Sequence, residues 1–308
     1  MITLPERLAV RALNLQGFRS ARVTTSVGRL HVLSTAGHGE GPRVVILHGL
    51  SANGLHYADL AARLRSAAPA VIAPDLPGHG LSPAPRGGLD PATMERGTLE
   101  VLDAITATGP AIVVGNSMGG LAATRYAALR PERVAGLVLV SPGGAPVAAH
   151  ELEAFLEPFR IRDHAAALRF VDRVCAKPLP APVRHAVAMG VKARFGHPTL
   201  RRLLDMLGPA DFLTPADVRG LAMPTLLIWG REERVLPPSH LAFFADHLPP
   251  AARVELWDGF GHIGFLEQPT ALATRIARFV EGVRGGVAAR PSSAPAPAFG
   301  GTASTAAA

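Results

Sequence analysis

The chain has 308 residues, 48% of them hydrophobic and 18% charged, with a formal net charge of +7. That balance suits a packed core and excludes a disordered or fibrous chain. Its basic residues are scattered instead of clustered, which argues against a nucleic-acid-binding face, and a single cysteine, Cys175, rules out an internal disulfide framework.

Leu4, Leu8, Val10, Leu13 and Leu15 recur among charges, the pattern of an amphipathic helix or a loose N-terminal arm over residues 1–20. Residues 1–17 carry Glu6 and several arginines without a sustained apolar run, a poor secretory signal. The longest uncharged apolar stretch, 134–149, is broken by Pro142, Gly143, Gly144 and Pro146 and is too short to span a bilayer. The expectation is a cytoplasmic protein with no stable membrane insertion. Residues 21–27 and 29–34 alternate polar and apolar side chains around Gly28, which predicts an antiparallel hairpin at a sheet edge.

Residues 43–47 form a continuous apolar run, the mark of a strand covered on both faces, and end in His48-Gly49-Leu50. A helix is expected over 55–65, then a buried strand over 70–74 leading into Asp75-Leu76-Pro77-Gly78-His79-Gly80-Leu81-Ser82. Helical spacing returns over 94–107 behind Pro91. Another apolar strand, from Ala111, leads into Gly115-Asn116-Ser117-Met118-Gly119-Gly120 and at once into a helix; a further strand covers 135–140. This alternation predicts a mostly parallel sheet with helices on both faces, whose ligands bind beyond the carboxyl ends of the strands.

From 143 to 221 the pattern becomes helical segments separated by Pro178, Pro180, Pro182, Pro198 and Pro209, read as an insertion between two strands. Its apolar residues, among them Phe155, Leu156, Phe159, Leu168, Phe170, Val171, Val187, Met189, Phe195, Leu203, Leu204 and Met206, are expected to pack mostly within it. The sheet resumes at 224–229, a helix fits 239–247, a last strand 253–257, and a closing helix 265–283. The segment 285–308 is Ala, Pro, Ser, Gly and Thr with almost no bulky apolar residue, which predicts a disordered tail. The expected organisation is therefore an arm (1–20), a core (21–142 and 222–284), a helical cap (143–221) and a tail (285–308).

One stretch carries chemistry. Gly115 and Gly119 bracket Ser117 between a strand and a helix, the context of a nucleophile elbow. A serine hydroxyl is a weak nucleophile and needs a base, which in turn needs an orienting acid. His262, in a glycine-rich loop after the last strand with Gly261 beside it, is the candidate base among 12 histidines. Glu233, a few residues beyond the strand ending at Trp229, is the candidate acid, and Glu232 is its rival. The N–H of Met118 and that of Leu50, in the loop after Leu47, are the candidate oxyanion donors; His48 is expected to brace that loop. Cys175 lacks a glycine-flanked turn and is read as a packed thiol in a helix. Nothing in the pattern calls for a cofactor or metal.

In this order, His48-Gly49, the Asp75–Ser82 stretch, Gly115–Gly120, the loop Gly230-Arg231-Glu232-Glu233-Arg234-Val235-Leu236-Pro237 and Gly261-His262 make residues 20–283 resemble the α/β-hydrolase family in its serine-nucleophile branch. The resemblance implies a mostly parallel eight-stranded sheet with helices on both faces and a helical lid, a triad in the order Ser117, acid, His262, and a small acyl substrate. It departs from the family in one place: the usual acid is aspartate, where Glu233 stands here. Ser117 also separates the chain from dehalogenases and epoxide hydrolases of this fold, which use aspartate, and its only tyrosines, Tyr57 and Tyr126, lie outside the insertion. Gly115–Gly120 with Ser141-Pro142-Gly143-Gly144 is similar to the meta-cleavage-product hydrolases, which split carbon–carbon bonds, with Arg160, Arg162 or Arg194 as possible carboxylate holders. The chain carries Leu50-Ser51-Ala52 and Ile263-Gly264 where those enzymes have a glycine-rich run and a tryptophan. A carboxylic ester or thioester hydrolase is the favoured expectation; a carbon–carbon hydrolase, an acyltransferase and an inactive scaffold are the alternatives.

Overall fold

The computed structural model describes residues 4–287. Helix α1 (Leu4–Asn14) precedes β1 (Phe18–Thr25) and β2 (Gly28–Ala36). There follow β3 (Val44–Leu47), α2 (Ala58–Arg63), β4 (Ala70–Pro74), α3 (Pro91–Ile105), β5 (Ala111–Ser117), α4 (Met118–Leu129) and β6 (Val134–Pro142). Five helices come next: α5 (Leu152–Leu156), α6 (His164–Val174), α7 (Ala181–Phe195), α8 (Pro198–Asp205) and α9 (Pro215–Arg219). The chain closes with β7 (Thr225–Gly230), α10 (Pro238–His247), β8 (Arg253–Trp257), α11 (Gly264–Glu267) and α12 (Pro269–Val287).

One eight-stranded sheet has the order β1-β2-β4-β3-β5-β6-β7-β8. β1 and β2 pair antiparallel, β2 joins β4 antiparallel, and the rest are parallel. Side chains alternate between the faces, as a period of two requires. Val45, Leu47, Val113, Leu137, Leu139 and Leu227 pack on one side with Val101 and Leu102 of α3 and Ala123 and Tyr126 of α4. Val44, Ile46, Ile112, Val114, Val138 and Ile228 pack on the other with Leu60 of α2 and Leu272, Ile276 and Val280 of α12. The parallel register sets Leu47 beside Gly115, Asn116 beside Val140 and Gly230 beside Trp257. The loops that follow β3, β5, β7 and β8 therefore leave the sheet at one edge, and that edge holds the site.

Local chemistry shifts several expected boundaries. The hairpin turns at Ser26-Val27, with Thr25 opposite Gly28, so both strands are longer than the alternation suggested. The single helix expected over 265–283 is two, because Pro269 pushes Gln268 out of helical geometry (φ −130°, ψ 52°). Cys175 is buried, but it sits in extended backbone just past α6 instead of inside a helix. Between β6 and β7, Leu156, Phe159, Phe170, Val171, Phe195 and Leu204 share a cluster of their own, whereas Leu203 joins the sheet core. Val187, Met189 and Met206 are exposed, on faces that no other element among the described residues covers. Of the tail expectation over 285–308, everything after Val287 lies outside the described residues. No helix among the described residues is long and apolar enough to cross a membrane.

Beneath the sheet edge lies a buried polar hub. Asp75 Oδ1 accepts the Gly54 N–H at 2.7 Å; its Oδ2 accepts the Leu81 N–H at 2.8 Å and His31 Nδ1–H at 2.9 Å. Burial works to raise the Asp75 carboxyl, but His31, His48 and the Gly54 N–H together hold it below its ordinary value. His48 donates Nδ1–H to the Gly49 carbonyl at 2.8 Å and accepts the Leu76 N–H at Nε2 at 3.0 Å, which fixes one neutral tautomer. Burial lowers His48 to about 4 and His79 to about 3, from an ordinary 6.5. A histidine whose folded pKa is depressed binds its proton first in the unfolded chain, so stability is lost on acidification between those two values. We expect the melting temperature to fall from pH 6.5 down to about 4, before most carboxylates titrate, and His79→Gln to flatten that slope in a pH series of thermal melts.

Candidate active site

Ser117 ends β5 and begins α4 with φ 54° and ψ −124°, a left-handed conformation that a non-glycine residue holds only when its surroundings impose it. The neighbours explain why. A Cβ on Gly115 would lie 2.3 Å from the Gly119 carbonyl oxygen, and one on Gly119 would lie 2.2 Å from that of Leu47. Only glycine lets strand, turn and helix approach this closely. The side chain of Ser117 is thereby thrust out at the first turn of α4, where unpaired N–H groups and the helix dipole favour negative charge.

His262 follows β8 and donates Nδ1–H to Oε2 of Glu233 at 2.7 Å. Glu233 is enclosed, with its side chain fully buried. Its second oxygen accepts the N–H groups of Val235 at 2.7 Å and Leu236 at 3.0 Å. Burial acts to raise this carboxyl, but the charge and hydrogen bond of His262 and the two backbone donors hold it below the usual glutamate value. The carboxylate therefore stays ionised, and in the neutral form of the ring this bond leaves Nε2 of His262 as the acceptor. Of the two neighbouring glutamates it is Glu233 that touches His262; Glu232 accepts the Phe260 N–H at 3.0 Å instead.

Three further side chains, Asn116, Glu267 and Arg234, fix the histidine and glutamate loops. Asn116 donates to the Val140 carbonyl at 2.9 Å and the His262 carbonyl at 3.3 Å, and accepts the Tyr57 hydroxyl at 2.9 Å. The residue before Ser117 is thus tied to the backbone of His262 itself. Glu267 accepts the Gly261 N–H at 2.8 Å and the Ala176 N–H at 2.6 Å, and the Ile263 N–H reaches the Val174 carbonyl at 3.2 Å. Arg234 donates to the carbonyls of Asp172, at 2.8 Å, and Cys175. Both the histidine loop and the glutamate loop are so fastened to the end of α6. The position of Asn116 inside the glycine-flanked turn was the available signal for it; Glu267 and Arg234 offered none.

A cavity of about 140 Å3 opens at Ser117. Leu50 and Met118, the candidate oxyanion donors, line it beside the serine. Its walls are otherwise mainly apolar: one face of α3, one face of α4, and Phe155, Leu156, Phe159, Leu203 and Leu204 from the helices between β6 and β7. A Cβ on Gly49 would stand 3.1 Å from Ser117 Cβ and 3.5 Å from its Oγ. If Ser117 carries the reacting atom, a small displacement of it is costly, and Gly49→Ala is expected to lower turnover at this site by about tenfold to a hundredfold. Kinetics paired with a thermal melt check that the loss is not one of folding. Among the described residues, no cluster of three or more His, Cys, Asp or Glu side chains could hold a metal ion.

Residues 44–275 match the model of the family described as "Alpha/beta hydrolase family". The chain belongs to the alpha/beta hydrolase family. Across 257 residues it is 31% identical to a pimeloyl-[acyl-carrier protein] methyl ester esterase of Chromobacterium violaceum, an alignment covering 79% of this chain and 96% of the relative. Among solved structures it is similar to a membrane phospholipase A described as a bacterial virulence factor, with 26% identity and a TM-score of 0.75, covering 91% and 93% of the two chains. It also shares its fold with naproxen esterase of Bacillus subtilis, at 20% identity and a TM-score of 0.70, covering 91% and 99%.

Proposed function

We propose that this alpha/beta hydrolase is a serine esterase that cleaves a carboxylic ester or thioester with an apolar acyl group. The observation that carries the reading is the enclosed Glu233 bonded to His262 Nδ1 at 2.7 Å, in a loop tied by Asn116 to the strand that ends in Ser117. In this reading the Ser117 hydroxyl oxygen bonds to the substrate carbonyl carbon while Nε2 of His262 takes its proton. The N–H groups of Met118 and Leu50 hold the tetrahedral oxyanion. The carbon–oxygen or carbon–sulfur bond to the leaving group then breaks, and the imidazolium returns the proton to that group. Water, deprotonated by His262, adds to the acyl-enzyme, and as the second intermediate collapses to the free acid the imidazolium returns that proton to the departing Ser117 oxygen. Glu233 holds the tautomer and stabilises the transient imidazolium.

The family membership and the esterase relative support the same reaction class. Residues 143–221 act as a lid over the core formed by 21–142 and 222–284, shaping the cavity and excluding water. The carbon–carbon alternative needs a carboxylate-binding arginine in the cavity. None of Arg160, Arg162 and Arg194 lines it, the first two pairing with Glu153 and Glu157, and Arg125, which does line it, is already paired with Glu95 at 2.8 Å. A fluorophosphonate probe tests the reading: the intact protein should be labelled at Ser117, as located by peptide mass spectrometry. Folded protein that resists the probe, or label at another residue, would overturn it.

A further inference from the structure

The cavity has a direction. On α4 it is lined by Met118, Leu121, Ala122 and Arg125, and on α3 by Pro91, Met94, Glu95, Thr98 and Leu99. These spacings of three and four mark one stripe on each helix. From Ser117 to Arg125 the α4 stripe runs eight residues, about 12 Å at 1.5 Å of rise per residue, the length of a medium acyl chain. The stripe is apolar until its last member.

At that far end the chemistry changes sign. Arg125 donates to Glu95 Oε2 at 2.8 Å, to the Phe212 carbonyl at 2.9 Å and to the Asp211 carbonyl at 3.3 Å. Its side chain is only 15% exposed, while that of Glu95 is 37% exposed. The guanidinium is thus already engaged by a carboxylate and two carbonyls. Glu95 Oε1 has no partner among the described residues. Asp211 also lines this end, with Oδ2 held by the Gly208 N–H at 2.8 Å. Arg125 is therefore committed to Glu95 and two carbonyls, and the residues lining this end carry two carboxylates, Glu95 and Asp211, against that one guanidinium.

The geometry points to a terminal subsite, formed by Glu95, Arg125 and Asp211, that receives the distal end of an acyl chain bearing a hydrogen-bond donor such as a hydroxyl or amide and rejects one ending in a carboxylate. The inference deepens the esterase reading and rests on Ser117 marking the scissile end of the cavity. An isolated arginine at this position would do the opposite and draw in a carboxylate. Paired with Glu95 and flanked by Asp211, it instead leaves a distal anion facing like charge, which is costly where water is partly excluded.

The test uses Ser117→Ala protein and three p-nitrophenyl esters of equal acyl length, long enough to reach the far end, terminating in methyl, hydroxyl and carboxylate groups. Calorimetric affinities are the readout, so the result does not depend on turnover. The hydroxyl-ended ester should bind about tenfold or more tightly than the carboxylate-ended one. Adding Glu95→Gln, which keeps the side-chain shape, should shrink that ratio at least about threefold, and Asp211→Asn should act in the same direction. Equal affinities for the two polar esters, or a ratio unmoved by both substitutions, would overturn the inference. Turnover of the methyl-ended ester by the unmutated protein tests the esterase reading separately: hydrolysis without end-group discrimination sinks only the subsite.

Discussion

Ser117→Ala is expected to reduce kcat for p-nitrophenyl ester hydrolysis by about 10^4- to 10^6-fold while leaving the protein folded. In the proposed mechanism the loss is large because the hydroxyl oxygen is the atom that forms the acyl bond; without it only the proposed oxyanion donors and binding would remain to assist water. The fold should tolerate the change because the backbone at residue 117, φ 54° and ψ −124°, is imposed by Gly115, Gly119 and the close approach of the Leu47 carbonyl. Alanine must adopt the same conformation at a similar cost, so the strain is retained and the melting temperature should move little. Steady-state kinetics with a thermal melt on one preparation checks both halves. A variant retaining a tenth of the activity would remove Ser117 from the mechanism.

Glu233→Gln should be nearly as damaging, lowering kcat by about 10^4-fold, although it alters neither the proposed nucleophile nor the proposed base. The carboxylate accepts from Nδ1 of His262 and so places the ring's lone pair on Nε2. An amide in its place can present its NH2 to Nδ1, which moves the ring proton to Nε2 and leaves nothing to take the serine proton. It can also no longer balance the imidazolium charge. Glu232→Gln is the matched control. Among the described residues Glu232 accepts only the Phe260 N–H, a bond that an amide oxygen can keep, so its effect should stay within about tenfold. If Glu232→Gln proves the worse of the two, the assignment of the acid is reversed.

The parts of this molecule that the amino-acid order reveals are those built from local chemistry. Continuous apolar runs such as 44–47 and 111–114 are strands because both faces are covered, and Gly115, Asn116, Ser117, Met118 and Gly119 form a tight turn because only glycine tolerates its contacts. What stayed hidden is pairing at a distance. Asn116 lies 146 residues from His262, and Arg125 reaches the Phe212 carbonyl across 87. Their partners are set by how helices dock, which no spacing rule encodes. The outward placement of Val187, Met189 and Met206 escaped for the same reason: a helical stripe tells that a face is apolar, not which neighbour covers it. Glu232 and Glu233 were ambiguous as neighbours in sequence and are distinguished only by the direction in which the loop after β7 turns.

The attachment of the His262 loop to residues 174–176 carries a mechanical implication. The backbone that carries the imidazole is held from two sides, by the strand edge through Asn116 and by the tip of α6 through Glu267 and the Val174 carbonyl. Any motion of the helices between β6 and β7 is therefore expected to pivot about this attachment. A guest too bulky for that motion would pry on the tip of α6 and tilt the proton acceptor, so excess size should register as slowed chemistry before it registers as weakened affinity.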